Sequence, residues 1–85
     1  MFSIIIPTYN RNESLNRCVK SIKDNLDKSI NKIIIVDDGS KIPIKNTINY
    51  FGINKDRFLI IRIKNKGPAT ARNVGIKNSN DEYLI

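Results

Sequence analysis

The 85 residues suffice for one small domain, and a chain of that size buries only roughly two-thirds of the surface its unfolded form exposes. With 40% hydrophobic and 27% charged residues it has a globular composition, and its one cysteine and lack of histidine exclude an internal disulfide, the usual Cys/His zinc sites and His-based triads. The formal charge of +7, from fifteen Lys and Arg against eight Asp and Glu, would suit nucleic acid, an anionic membrane or phosphorylated small molecules, but the basic residues are scattered and read first as a solvated surface.

Phe2 to Ile6 is a short β-branched run, and Pro7, which has no N–H for a ladder, is expected to end that strand. Thr8–Asn12 is a polar turn in which Asn10 or Asn12 can cap a following helix. Leu15, Val19, Ile22 and Leu26 then recur at helical period, with Cys18 beside them as an expected packed thiol.

Ile33-Ile34-Ile35-Val36 is bulky on both faces, as in a strand covered on both sides, and it runs directly into Asp37-Asp38-Gly39-Ser40. Two adjacent acids at a strand end are costly unless a ligand, a cation or backbone donors meet them. After a turn to Pro43, the spacing of Ile44, Ile48 and Phe51 predicts a second helix ending near Gly52.

Phe58 to Ile63 reads as a third strand, and Lys64–Gly67 as a loop. Pro68 opens a third helix, with Ala71, Val74 and Ile76 inward and Gly75 allowing close approach to the sheet. Tyr83-Leu84-Ile85 starts a fourth strand.

The order βαβαβαβ implies an α/β fold, a parallel sheet with helices on both faces. The unfinished last strand makes residues 1–85 read as a single incomplete domain, the front part of a larger one. No apolar run approaches the ~20 residues of a membrane helix, and the N-terminus lacks signal-peptide features. A cytoplasmic location is the default, and the full-length protein is free to lie peripherally on the inner face of the membrane.

Three loops follow the carboxyl ends of successive strands, where open α/β sheets bind ligands. They are Pro7–Arg11, Asp37–Ser40 and Asn65–Pro68, and they offer an aromatic face, two carboxylates and basic residues near a helix start. These suit a nucleotide's base, its polar edge or ribose, and its phosphates. Arg72, one turn into the third helix, is placed to lean over the same rim.

Each residue has a plainer role. Tyr9 can cover a strand end, Asp37 can cap the next turn through its side chain, and Arg72 and Lys66 can be solvated charge. Asp38 is the better ligand contact, because adjacent strand-end residues point different ways. Neither a Walker loop nor a G-x-G-x-x-G fingerprint is present.

Ser3-Ile-Ile-Ile-Pro-Thr-Tyr-Asn-Arg11, Leu15, Cys18-Val19, Ser21-Ile22 and Ile33-Ile-Ile-Val-Asp-Asp-Gly-Ser40 resemble the opening of family 2 glycosyltransferases. The likeness continues through Asn65, Gly67, Ala71-Arg72-Asn73, Gly75-Ile76, Ser79 and Glu82–Ile85. The resemblance implies the amino-terminal, nucleotide-sugar-binding half of a GT-A (Rossmann-like) fold, from an inverting enzyme that moves a sugar from a nucleoside diphosphate, commonly UDP, to a hydroxyl acceptor in glycan or polysaccharide synthesis. By the same resemblance, Pro7, Thr8 and Tyr9 cradle the base, Asp38 bonds its edge, Asp37 supports the turn or the ribose, and Arg72 lies near the base or diphosphate. Asn73 is assigned to helix packing or loop hydrogen bonding.

The family's Asp-x-Asp motif, which holds Mg²⁺ or Mn²⁺, would begin where this sequence ends, and the catalytic base lies later still. The implied divalent cation therefore belongs to the full-length enzyme, this chain holds no metal tightly, and by itself it is expected to be inactive. The expected partners are the nucleotide sugar and, for the full enzyme, a sugar or lipid-linked acceptor, with no nucleic acid. Self-association through the incomplete sheet is a further expectation.

Two alternatives remain. A receiver-like phosphoacceptor domain also carries an acidic pair at a strand end, although there the pair follows the first strand and a later strand ends in the phosphorylated Asp. A basic nucleic-acid-binding module would match the charge alone.

Overall fold

The structure is a computed structural model describing residues 2–26, 28–80 and 82–84, without the side chain of Leu84. Its elements are β1 (Phe2–Thr8), α1 (Asn12–Asp24), β2 (Ile30–Asp37), two short 3₁₀ turns (Ile44–Asn46 and Lys55–Arg57), β3 (Phe58–Arg62), α2 (Pro68–Lys77) and β4 (Glu82–Leu84). The strands form one parallel sheet in the order β3-β2-β1-β4. Ile85, expected in the last strand, lies outside the described residues.

The apolar run of β2 is buried on both faces, and the two helices account for it. Ile33 and Ile35 join Leu15 and Val19 of α1, with Ile44 and Ile53 completing that side. Ile34 and Val36 pack with Ile5 and Ala71, on the side covered by α2. Ile33, Ile34, Ile35 and Val36 are each at most 1% exposed, and burying such a side chain contributes roughly 1.5–3 kcal/mol. The absence of polar residues from this run is thus explained by a helix on each side of the sheet.

Gly75 sets how closely α2 sits. A Cβ there would stand 2.4 Å from Cγ2 of buried Ile5 and 3.4 Å from Cγ2 of Val36. Any side chain at this position would push the helix off the sheet, as its place on the inward face implies.

Three expectations need correction. Pro7 does not end β1; it pairs in register with Val36, and the strand continues to Thr8. Thr8 O accepts from Asp38 N, so Thr8 faces β2 and its neighbour Pro7 faces the other way. On that side β4 pairs only with Phe2, Ser3 and Ile4, so no ladder bond is lost to the proline.

The helix expected over 44–52 is the second correction. Only the 3₁₀ turn Ile44–Asn46 forms, so the order is βαββαβ with two helices. Side-chain amides take the backbone groups that a helix would have used. Asn12 Nδ2 donates to Ile42 O and to Thr47 Oγ1, Asn16 Nδ2 donates to Thr47 O, and Asn49 N donates to Asn16 Oδ1. Phe51, at φ 50°, and Gly52, at φ 82°, then turn the chain. Ile44, Ile48 and Phe51 still pack beside α1, so their spacing reports burial without reporting helix.

Third, Cys18 is exposed. It sits at the flank of the Leu15–Val19–Ile22 stripe, and partial burial raises its thiol pKa. Among the described residues no helix is long and apolar enough to cross a membrane.

Candidate functional site

The carboxyl ends of β1 and β2 and the loop entering α2 meet in an open cleft of about 470 Å³. It is lined by Pro7, Thr8, Tyr9, Arg11, Asp38, Asn65, Gly67, Pro68 and Ala71. Of the residues singled out in the sequence, the structure brings Pro7, Thr8, Tyr9 and Asp38 together, along with the Asn65–Pro68 loop. It does not bring in Asp37 or Arg72.

Asp38 ends up at the cleft because it follows the last paired residue of β2. Its N–H donates to Thr8 O, which ties the two strand ends together. Its carboxylate accepts from Lys66 N (2.7 Å, Oδ1) and Gly67 N (2.9 Å, Oδ2). The side chain therefore clips the start of α2 to the end of β2 while lining the cavity.

Gly39 makes that clip possible. It sits at φ +78°, and a Cβ there would lie 2.9 Å from Asn65 N and 3.3 Å from Ile63 O. The loop crosses directly over the glycine, and a substitution would combine backbone strain with a clash against backbone atoms.

Tyr9 is 44% exposed, and its hydroxyl accepts from Asn65 Nδ2 at 3.4 Å. The next residue, Asn10, adopts a left-handed conformation at φ 52°. Its N–H donates to Ser40 Oγ (2.9 Å), and its Oδ1 accepts from Lys41 N (2.7 Å). The loop carrying the aromatic ring is thus fastened to the loop carrying the acids.

Asp37 lies on a different side and is 1% exposed. Its Oδ1 accepts from Ser40 N (2.9 Å), and its Oδ2 accepts from Ile44 N (3.0 Å) and Arg62 Nη1 (2.8 Å). Arg62 Nη2 also donates to Ser40 O (2.9 Å). Desolvation pushes the carboxyl's pKa up, but hydrogen bonds from the Ser40 side chain, the Ile44 and Ser40 amides and Arg62 outweigh it and leave the pKa lowered. Asp37 is thus the turn-capping residue of its plainer role, and it holds the 37–44 segment from inside.

Arg72 is exposed on α2, next to the lining residue Ala71, and does not border the cleft.

Sequence reasoning gave no individual role to Arg11 or Arg62, and it placed Ala71 inward without assigning it to the cleft. Arg11 belongs to the same turn as Tyr9, and Ala71 lies one turn after Pro68 at the close approach of α2. Arg62 is the β3 residue in register with Asp37, so the partner of the buried acid could have been read from strand alignment.

All four carboxylate oxygens of the two acids accept from protein donors. No group of three His, Cys, Asp or Glu suited to a metal occurs among the described residues.

Residues 3–85 match the family model described as glycosyl transferase family 2. The chain belongs to that family. It is similar to an uncharacterized glycosyltransferase of Rickettsia bellii, with 38% identity over 96% of this chain and 12% of the relative. Glycosyltransferase GlyG of Streptococcus pneumoniae is 33% identical over 99% of this chain and 28% of the relative. The minor teichoic acid biosynthesis protein GgaA of Bacillus subtilis is 36% identical over 92% of this chain and 18% of the relative. The chain therefore spans less than a third of each of these relatives. Membership in family 2 replaces the receiver-domain and nucleic-acid alternatives as the reading of this site.

Proposed function

We propose that this chain is the nucleotide-binding portion of an inverting glycosyltransferase, and that its cleft takes a nucleoside diphosphate sugar, with uridine as the base. The observation carrying this reading is the meeting of Tyr9 and Asp38 in one cavity of about 470 Å³. That volume lies in the range of about 300–1,000 Å³ common for small-molecule sites. A half-exposed ring offers a face for the base. An ionised carboxylate has about four acceptor positions on its two oxygens, so Asp38 can hold both backbone amides and still accept a base-edge N–H from the cleft.

Titration of UDP into the chain, read by calorimetry or amide shifts, should give saturable binding. Because stacking on an aromatic side chain is worth about 1–3 kcal/mol, Tyr9→Ala should weaken it by roughly tenfold. If no nucleoside diphosphate binds, or Tyr9→Ala binds UDP as well as wild type, the reading is wrong.

In the full-length protein the sugar would pass to an acceptor hydroxyl in one displacement. The acceptor would lose its proton to a carboxylate, the nucleoside diphosphate would leave, and the anomeric configuration would invert. The naming of the Bacillus subtilis relative for minor teichoic acid biosynthesis supports a glycan or polymer acceptor.

Within this chain, Asp38 is engaged by two amides, Asp37 lies off the cleft, and no group of three His, Cys, Asp or Glu suited to a metal occurs among the described residues. The 85 residues alone should therefore release no UDP from UDP-sugars above the buffer rate, with Mg²⁺ or Mn²⁺ present. Turnover that saturates with donor would overturn this expectation.

A further inference from the structure

We infer that Arg11, rather than Arg72 or the amino terminus of α2, is the group of this chain that meets the ligand's diphosphate and sets its preference for diphosphates over bare nucleosides. The inference rests on the proposed reading of the cleft as a nucleoside diphosphate site.

Four observations carry it. Arg11 is the only cationic side chain among the residues lining the cleft. Its guanidinium has no partner among the described residues, and the same holds for Arg72, which does not line the cleft, whereas Arg17 donates to Ser14 Oγ, Arg57 to Ile30 O and Arg62 to Asp37.

Third, the start of α2 already faces an anion of the protein itself. The Asp38 carboxylate holds the Lys66 and Gly67 amides, and Pro68, the first helical residue, has no N–H to offer. A diphosphate approaching there would meet a like charge.

Finally, Arg11 also borders a neighbouring groove of about 630 Å³ whose lining includes Arg17 and Lys41, against the single acid Glu13. The side of the cleft nearest Arg11 therefore carries the positive potential, and the side nearest Asp38 the negative. A ligand with a donor-bearing base at one end and a diphosphate at the other matches that polarity, base towards Asp38 and phosphates towards Arg11.

The test is a comparison of UDP with uridine, carried out in EDTA so that only protein charge can meet the phosphates. Charge-assisted Arg–phosphate hydrogen bonds should make wild type prefer UDP by about tenfold to a hundredfold. In Arg11→Gln that preference should collapse to within about threefold while uridine affinity is unchanged, and Arg11→Lys should retain part of it. Arg11 is exposed, so these variants test binding without disturbing the core. An unchanged UDP-to-uridine ratio in Arg11→Gln, or its loss in Arg72→Gln instead, would overturn the inference while leaving the nucleotide reading intact. Absence of any nucleoside diphosphate binding to wild type would remove both.

Discussion

Replacing Asp37 with alanine should cost this domain a large share of its stability, although the side chain touches no ligand. The acid is 1% exposed and satisfies the amides of Ser40 and Ile44 as well as the Arg62 guanidinium. Alanine would strand two buried N–H groups, each worth about 1–3 kcal/mol when left unsatisfied, so the loss should be about 2–5 kcal/mol. A chain of this length has a total stability of roughly 4–13 kcal/mol. The expected thermal midpoint falls by at least ~8 °C, since 1 kcal/mol moves a domain of this size by about 4–8 °C.

Arg62→Gln should be milder. The arginine side chain is 44% exposed, and losing it leaves the carboxylate with its two amide donors. An equal loss in the two variants would show that the ion pair, rather than the buried amides, supports the 37–44 segment.

The same residue ties stability to acid. The folded pKa of Asp37 is lowered, so the native state binds fewer protons than the unfolded chain wherever that carboxyl is titrating. Its contribution is complete above the ordinary aspartate value of about 3.9. It is lost as pH falls from there through the folded value. Wild type should therefore lose stability below about pH 4 more steeply than Asp37→Asn, which has no carboxyl to protonate there. Denaturant unfolding at pH 7, 4 and 3 measures this, and parallel curves for the two proteins would rule the linkage out.

How much of this was legible in the sequence depends on what each residue answers to. The β2 run was unambiguous because burial on both faces leaves no polar position, and a parallel sheet with helices on both sides follows from it. Gly75 was legible because a glycine on the inward face of a helix has few other uses.

The segment 44–52 was misread because apolar spacing records which side chains are buried, whereas Asn12, Asn16 and Asn49 decide where the backbone bonds go. Those partners lie more than thirty positions apart in the chain, beyond the reach of local pattern. The sequence let Asp37 and Asp38 be assigned different roles, but only the strand register shows that Arg62 stands beside Asp37. Arg72 was placed at the rim by helical position, and in the structure the cleft lining includes the preceding residue, Ala71, but not Arg72.

Asp38→Ala should produce the largest loss of nucleotide affinity, and it should do so by two routes that one experiment separates. Removing the carboxylate deletes the acceptor proposed for the base edge. It also releases the Lys66 and Gly67 amides, which fix the loop carrying Asn65, Gly67 and Pro68 along the cleft wall. We expect UDP binding to fall by at least about tenfold, the scale of a lost charged hydrogen bond of about 1.5–3 kcal/mol.

Hydrogen exchange distinguishes the routes. In ligand-free wild type the Lys66 and Gly67 amides should be protected by the carboxylate, and in Asp38→Ala both should exchange faster, because no other acceptor replaces it. Asp38→Asn keeps one carbonyl acceptor and opposes an NH₂ group to the second amide, so one of the two should stay protected. If affinity tracks exchange across the three proteins, the acid acts mainly by holding the loop. If Asp38→Asn keeps partial protection but loses as much affinity as Asp38→Ala, the carboxylate itself contacts the base. Unprotected amides in wild type would mean that the clip does not form in solution, and only direct contact of the carboxylate with the base could then explain a loss of binding.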